Sequence, residues 1–100
     1  MAVVIPVGAL AYQSLRVSLS GHAVRLTLQQ RGTGLYAAVW VDGVAVLAGA
    51  LCQDRTWLVR QSACALPGDM GFADTQGTRD PDYTGLGRRF VLVYAEHGNG

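Results

Sequence analysis

Four aspartates, Asp69, Asp74, Asp80 and Asp82, fall close together in the second half of the chain. A hard cation such as calcium takes several carboxylate and carbonyl oxygens from one loop, so this cluster is the first place to look for chemistry. Its spacing is not that of an EF-hand, and Arg79, Arg88 and Arg89 stand near enough in sequence to neutralise it. Internally paired charges are therefore expected here, with no metal and no other cofactor. The two histidines, His22 at a turn and His97 near the carboxyl end, have no evident carboxylate or nucleophile around them and read as surface residues. A hydrolase would need a nucleophile with a base in reach, and only Ser62 or Cys64 against those distant histidines are available. No catalytic residue is assigned, and the chain is not expected to be an enzyme.

Two further arrangements bear on binding chemistry. The glycine turns in "RGTG" and "GLGRR" precede strand-like runs, whereas a phosphate cradle needs a helix amino terminus or a nest of amides. Trp40, Trp57, Tyr36 and Tyr94 could make a stacking platform for single-stranded nucleic acid on an OB-like barrel. Such a platform would lack its main attraction without a basic groove, so core or subunit interface is the favoured place for these rings.

Composition points the same way. Half of the 100 residues are hydrophobic and only 15% are charged, against about 25% in a typical soluble domain. A surface so poor in charge suits a chain partly covered by others. The length fits one domain spanning residues 1–100. Eight arginines, no lysine and seven acids leave a net charge of +1, without the concentrated basic excess of a nucleic-acid binder. Arginine without lysine suits fixed, bidentate contacts, although a GC-rich genome would give the same bias. Cys52 and Cys64 do not form a CxxC or a metal-ligand pattern and are expected to be free, buried thiols in a reducing compartment. The opening "MAVVIPVGALAY" does not read as a signal peptide and is too short in its apolar part to span a bilayer.

The elements that must carry these residues are strands. "SLRVSLSGHAVRLTLQQR" alternates Leu15, Val17 and Leu19 against Arg16 and Ser18, then Val24, Leu26 and Leu28 against Arg25, Thr27 and Gln29. A two-residue Ser20-Gly21 loop between alternating runs signals a hairpin, in which Leu19 opposes His22, Val17 opposes Val24 and Arg16 opposes Arg25. Like charges directly opposed on a sheet are unfavourable, so an acidic neighbour, from this chain or a partner, is expected beside Arg16 and Arg25. In "GLYAAVWVDGVAVLAGALCQDR", Asp42-Gly43 is a type I′ turn that sets Val41 against Val44, Trp40 against Ala45 and Val39 against Val46. Both faces of that hairpin are apolar, which fits a central position in a barrel or sandwich, or coverage by another subunit. "AVVIP", "TWLVR", "GDMGFAD" and "RRFVLVYAE" supply the remaining strands. The fold class expected is all-β, a small antiparallel β-barrel or sandwich, with one long ordered loop over about residues 74–88.

That loop is unusually long and polar for a compact domain, and such loops are usually functional or disordered. Pro81 fixes a backbone angle, Tyr83 and Leu86 offer apolar anchors, and aspartates alternate with arginines in a way that invites pairing. A rigid loop of this kind serves docking; closing one end of the fold would use the same turn chemistry.

"LCQDR" at 51–55 and "GDMGFADTQGTRDPDYTGLGRRFVLVYAE" at 68–96 resemble the small baseplate plug proteins of contractile-tailed bacteriophages. The order of elements is also similar, with "GLYAAVWVDG" ahead of the D-T-Q-G, D-P-D-Y and G-L-G run. The resemblance implies a non-enzymatic virion component of the tail baseplate, made in the host bacterial cytoplasm and placed near the central hub. The partners it implies are hub and tail-tube proteins, wedge or sheath-initiator proteins, and symmetrically arranged copies of the same chain, with no membrane and no nucleic acid. Gln53, Arg55, Asp74, Gln76, Asp80, Asp82, Tyr83, Arg88 and Arg89 fall on the shared motif and are expected to shape the docking loop and its contacts. The rival reading is an OB-like barrel that binds single-stranded nucleic acid or a small ligand.

Overall fold

The computed structural model describes residues 2–59 and 68–96. Its strands are β1 (Ala2–Ile5), β2 (Tyr12–Leu19), β3 (His22–Arg31), β4 (Gly34–Val41), β5 (Val44–Leu51), β6 (Gly68–Asp74) and β7 (Phe90–Glu96). Strands β2-β3-β4-β5 form one antiparallel sheet in chain order, and β1-β7-β6 form a second. Of the two all-β architectures expected, the molecule takes the sandwich: the two sheets are not closed into a barrel. Ser62, Cys64 and His97 lie outside the described residues, so the readings made for them do too.

The meander follows from turn chemistry and a period of two. Ser20 and Gly21 have φ of 53° and 79°, and Asp42 and Gly43 have 51° and 82°. Positive φ at both central residues is the type I′ signature, whose twist matches that of the strands it joins. The first hairpin has the expected register, with Leu19 opposite His22, Val17 opposite Val24 and Arg16 opposite Arg25. The second starts as expected, Val41 opposite Val44 and Trp40 opposite Ala45, but Val39 then meets Leu47 in place of Val46. Two register shifts separate the turn from the far end, where Ala37 meets Ala50. Bulges of this kind bend and twist an edge strand, and β5, running along the sheet edge, is where they are easiest to accommodate.

Alternation delivers one face of each sheet to a shared core. Val24, Leu26 and Leu28 from β3 and Leu35, Ala37, Val39 and Val41 from β4 are buried against Met70, Phe72, Phe90, Leu92 and Tyr94 from the other sheet. Apolar burial at about 25 cal/mol per Å² makes this the main source of stability. Cys52 is free and buried in the same core, and burial pushes its thiol up to about 12.

"TWLVR" does not make the expected strand in its described part. Arg55 takes a left-handed backbone (φ 52°), which breaks the extended run, and the segment instead crosses β6 through single bridges, Asp54 to Phe72 and Trp57 to Gly71. The Arg55 and Leu58 amides donate to the carbonyls of Phe72 and Met70 at 2.7 and 2.9 Å. This crossing is close enough that a Cβ on Gly71 would stand 2.8 Å from the Thr56 carbonyl oxygen.

Candidate functional site

The long loop begins where β6 ends, at Asp74, whose side chain is fully buried. Arg89 Nε donates to Asp74 Oδ1 and Arg89 Nη2 to Oδ2, both at 2.8 Å. The amides of Gln76 and Arg79 donate to the same two oxygens at 2.8 and 2.9 Å. A fork of guanidinium donors holds the Asp74 carboxyl well below the usual carboxylate range, and the two amides add to that pull against the opposing effect of burial. The Arg89 guanidinium is in turn held more firmly protonated by Asp74. Thr75 closes the base of the loop, its amide and hydroxyl both donating to the Arg89 carbonyl at 2.7 Å.

A second aspartate locks the loop from outside. Asp54 Oδ1 accepts from the Asp74 amide at 2.7 Å, Asp54 Oδ2 pairs with Arg55 Nη1 at 2.5 Å, and the Asp54 amide donates to Asp80 Oδ1 at 3.0 Å. Arg55 also reaches the Gly77 and Asp74 carbonyls at 3.1 and 3.3 Å. Asp82 caps the short 3₁₀ turn Tyr83–Gly85 by accepting from the Thr84 amide at 2.9 Å. Gln30 Oε1, from the end of β3, accepts from the Tyr83 amide at 3.1 Å and ties the loop to the other sheet. Leu86 is fully buried and Tyr83 packs half-buried on the core.

The motif residues therefore divide. Asp74, Asp80, Asp82, Arg55 and Arg89 spend their charged groups on the loop's own framework. Gln53, Gln76 and Arg88 are exposed. Asp54 and Gln30, which sequence reasoning did not single out, are part of the lock. Asp54 could have been suspected from its place beside Arg55 in "CQDR"; Gln30 had no local signal, because its partner is 53 residues away.

The outer face of the four-stranded sheet is different. Arg25 and Trp40 are register partners, and the Arg25 guanidinium carbon lies 4.2 Å from the Trp40 ring centroid. Of the two sources expected for an acidic neighbour, this chain supplies none among its described residues: a ring answers Arg25, and neither Arg16 nor Arg25 makes an ion pair there. The reason is charge placement. Strands β2 to β5 carry Arg16, Arg25 and Arg31 and no acid, whereas every carboxylate but Asp42 follows residue 53. Arg16, Val17, Ser18, Ala23, Arg25 and Trp40 help line an open groove of about 800 Å³.

Other expectations are also corrected. His22 does have a carboxylate partner: its Nδ1 is 2.7 Å from Asp42 Oδ2, while the Ala23 amide donates to Asp42 Oδ1 at 3.0 Å. That imidazole, followed by the amide, lowers the Asp42 pKa from its ordinary value. The four rings do not form one platform. Tyr94 is buried, with its hydroxyl 2.8 Å from Ser20 Oγ; Trp57 lies against β6; Tyr36 and Trp40 have Arg31 and Arg25 on their faces. Among the described residues no three His, Cys, Asp or Glu side chains gather as a metal site. Asp69 is buried with Oδ1 accepting the Val59 and Met70 amides, which accounts for one member of the aspartate cluster.

No curated protein matches the chain. A protein-family description, "Cyanophage baseplate Pam3 plug gp18", matches residues 2–97, which takes in both sheets, the Asp54 crossing and the whole Asp74 loop. A braced loop on a β-sandwich, matched from its first strand to its last, makes this chain a member of that phage baseplate plug family.

Proposed function

We propose that the chain is a non-enzymatic structural component of a contractile phage tail baseplate, docking near the central hub and tail tube through protein–protein contacts. The observation that carries this reading is the family match over residues 2–97. Two physical features support it. The Asp74 loop is prestiffened by four donors on one carboxylate, so little ordering entropy remains to be lost when it meets a partner. Large apolar side chains also remain outside, Val4, Leu10, Tyr12 and Val44 each being more than half exposed.

In this reading Gln53, Gln76 and Arg88 offer contacts from the loop surface, while Arg55, Asp74, Asp80, Asp82, Tyr83 and Arg89 hold its shape. Partners are hub, tail-tube and wedge or sheath-initiator proteins, together with symmetric copies of the chain in the virion; synthesis is in the host cytoplasm. The test is proteomic and genetic. Particles purified from a phage carrying this gene should contain the chain in the baseplate fraction, and its deletion should leave particles without functional tails. Complete, infective particles that lack the chain would overturn the proposal.

A further inference from the structure

We infer that the groove over Arg16, Arg25 and Trp40 is a docking site for an acidic, carboxylate-bearing segment of a neighbouring baseplate protein. The inference rests on the baseplate reading for the identity of the neighbour, but its chemistry stands on the sheet itself. Arg16 and Arg25 face each other across β2 and β3, a placement that costs stability in the isolated chain. Elsewhere Asp74 is paired with Arg89 and Asp54 with Arg55, and Asp42 is hydrogen-bonded by His22. Here two cations stand together with no carboxylate on any of the four strands beneath them.

The geometry favours a carboxylate over a nucleic acid. With the Arg25 guanidinium lying on the Trp40 ring, that ring face is occupied and cannot stack a base, the contact single-strand binders use. A guanidinium held over a ring by a cation–π contact still has N–H donors to offer, and these match the two oxygens of a carboxylate. Two arginines at a net charge of +1 also give too little phosphate neutralisation for a polyanion. The groove, about 800 Å³ and also lined by Val17, Ser18 and Ala23, has room for a few residues of extended chain.

Amide and arginine-Nε spectra of the full chain, titrated at low salt with a blocked hexaglutamate peptide, a blocked hexaglutamine peptide and an eight-nucleotide single-stranded DNA, provide the test. Hexaglutamate should shift residues 16–18, 23–25 and 40, hexaglutamine should not, and added salt should reverse the shifts. Arg16→Gln and Arg25→Gln, each with an otherwise native spectrum, should weaken the interaction about threefold to fivefold, the size of one exposed ion pair. No shift in the groove, shifts indifferent to both substitutions, or DNA binding the groove as tightly as the acidic peptide would overturn the inference. A second arm separates this from the baseplate reading: the double variant should be depleted from particles that contain the wild-type chain. Normal incorporation of the double variant would defeat the groove alone, whereas absence of the wild-type chain from particles would defeat the baseplate reading and leave the peptide result to decide the groove.

Discussion

The Asp74 loop and the outer face of the four-stranded sheet both present arginines, yet they use them in opposite ways. In the loop most charged groups are met within the chain: Arg89 forks onto Asp74, Arg55 bridges Asp54 and two carbonyls, and Asp80 accepts an amide, with Arg88 left exposed. On the sheet face Arg16 opposes Arg25, and among the described residues the only answer is an aromatic ring over Arg25. Charge that is satisfied at home builds architecture, whereas charge left open against its own stability interest is available for recognition. A residue's place in a motif does not by itself distinguish the two roles; its partners do.

Substitutions can break or sharpen that contrast. The largest effect should come from Leu86→Ala, which empties a fully buried anchor beneath the loop and should cost about 3 kcal/mol in chemical denaturation. A loss below about 1 kcal/mol would mean that the loop is not packed as described. Gly85→Val should follow at about 1–3 kcal/mol, because a Cβ there would stand 2.7 Å from the Phe90 ring. That glycine is required for close approach and not for a positive φ, which belongs instead to Gly87 at 82°.

Asp74→Asn probes the charge side of the loop. The folded carboxyl lies below its ordinary value of about 4, so its stabilisation is fully present above that value and is lost as pH falls through the lower, folded one. The variant should therefore melt earlier than wild type at neutral pH, and the gap in Tm should close progressively below about pH 4. A gap that stays constant into acid would assign the loss to packing and not to ionisation. The smallest effect, and of opposite sign, is expected from Arg16→Gln. Relief of the opposed charges should raise stability by a few tenths of a kcal/mol and up to about 1 kcal/mol at low salt, with the gain fading at high salt. A destabilised variant would mean that Arg16 is satisfied in solution and would weaken the contrast.

How much of this was legible beforehand follows the range of the forces involved. The β2-β3 hairpin and its register, including Arg16 against Arg25, could be read because alternation and two turn residues encode them locally. The β5 bulges could not, since nothing in "VAVLAGAL" marks where a residue slips out of register. Arg55 looked like a motif residue at a strand end; its left-handed backbone sits where its guanidinium meets the Asp74 and Gly77 carbonyls, 19 and 22 residues along the chain. The loop was recognisable as ordered from its alternating Asp and Arg, but the identity of the lock was not, because Asp54 and Gln30 act over 20 and 53 residues. His22 misled for the same reason: its partner Asp42 lies in the β4–β5 turn, 20 residues on, and is adjacent only once the strands pair.

The most direct measurement is an electron cryo-microscopy reconstruction of the assembled tail at side-chain detail. The account predicts this chain in the baseplate, its Asp74–Arg89 pair intact and a neighbour's carboxylate seated between Arg16 and Arg25. A chain found there with the Arg16–Arg25 face open to solvent, or a baseplate built without this chain, would contradict it.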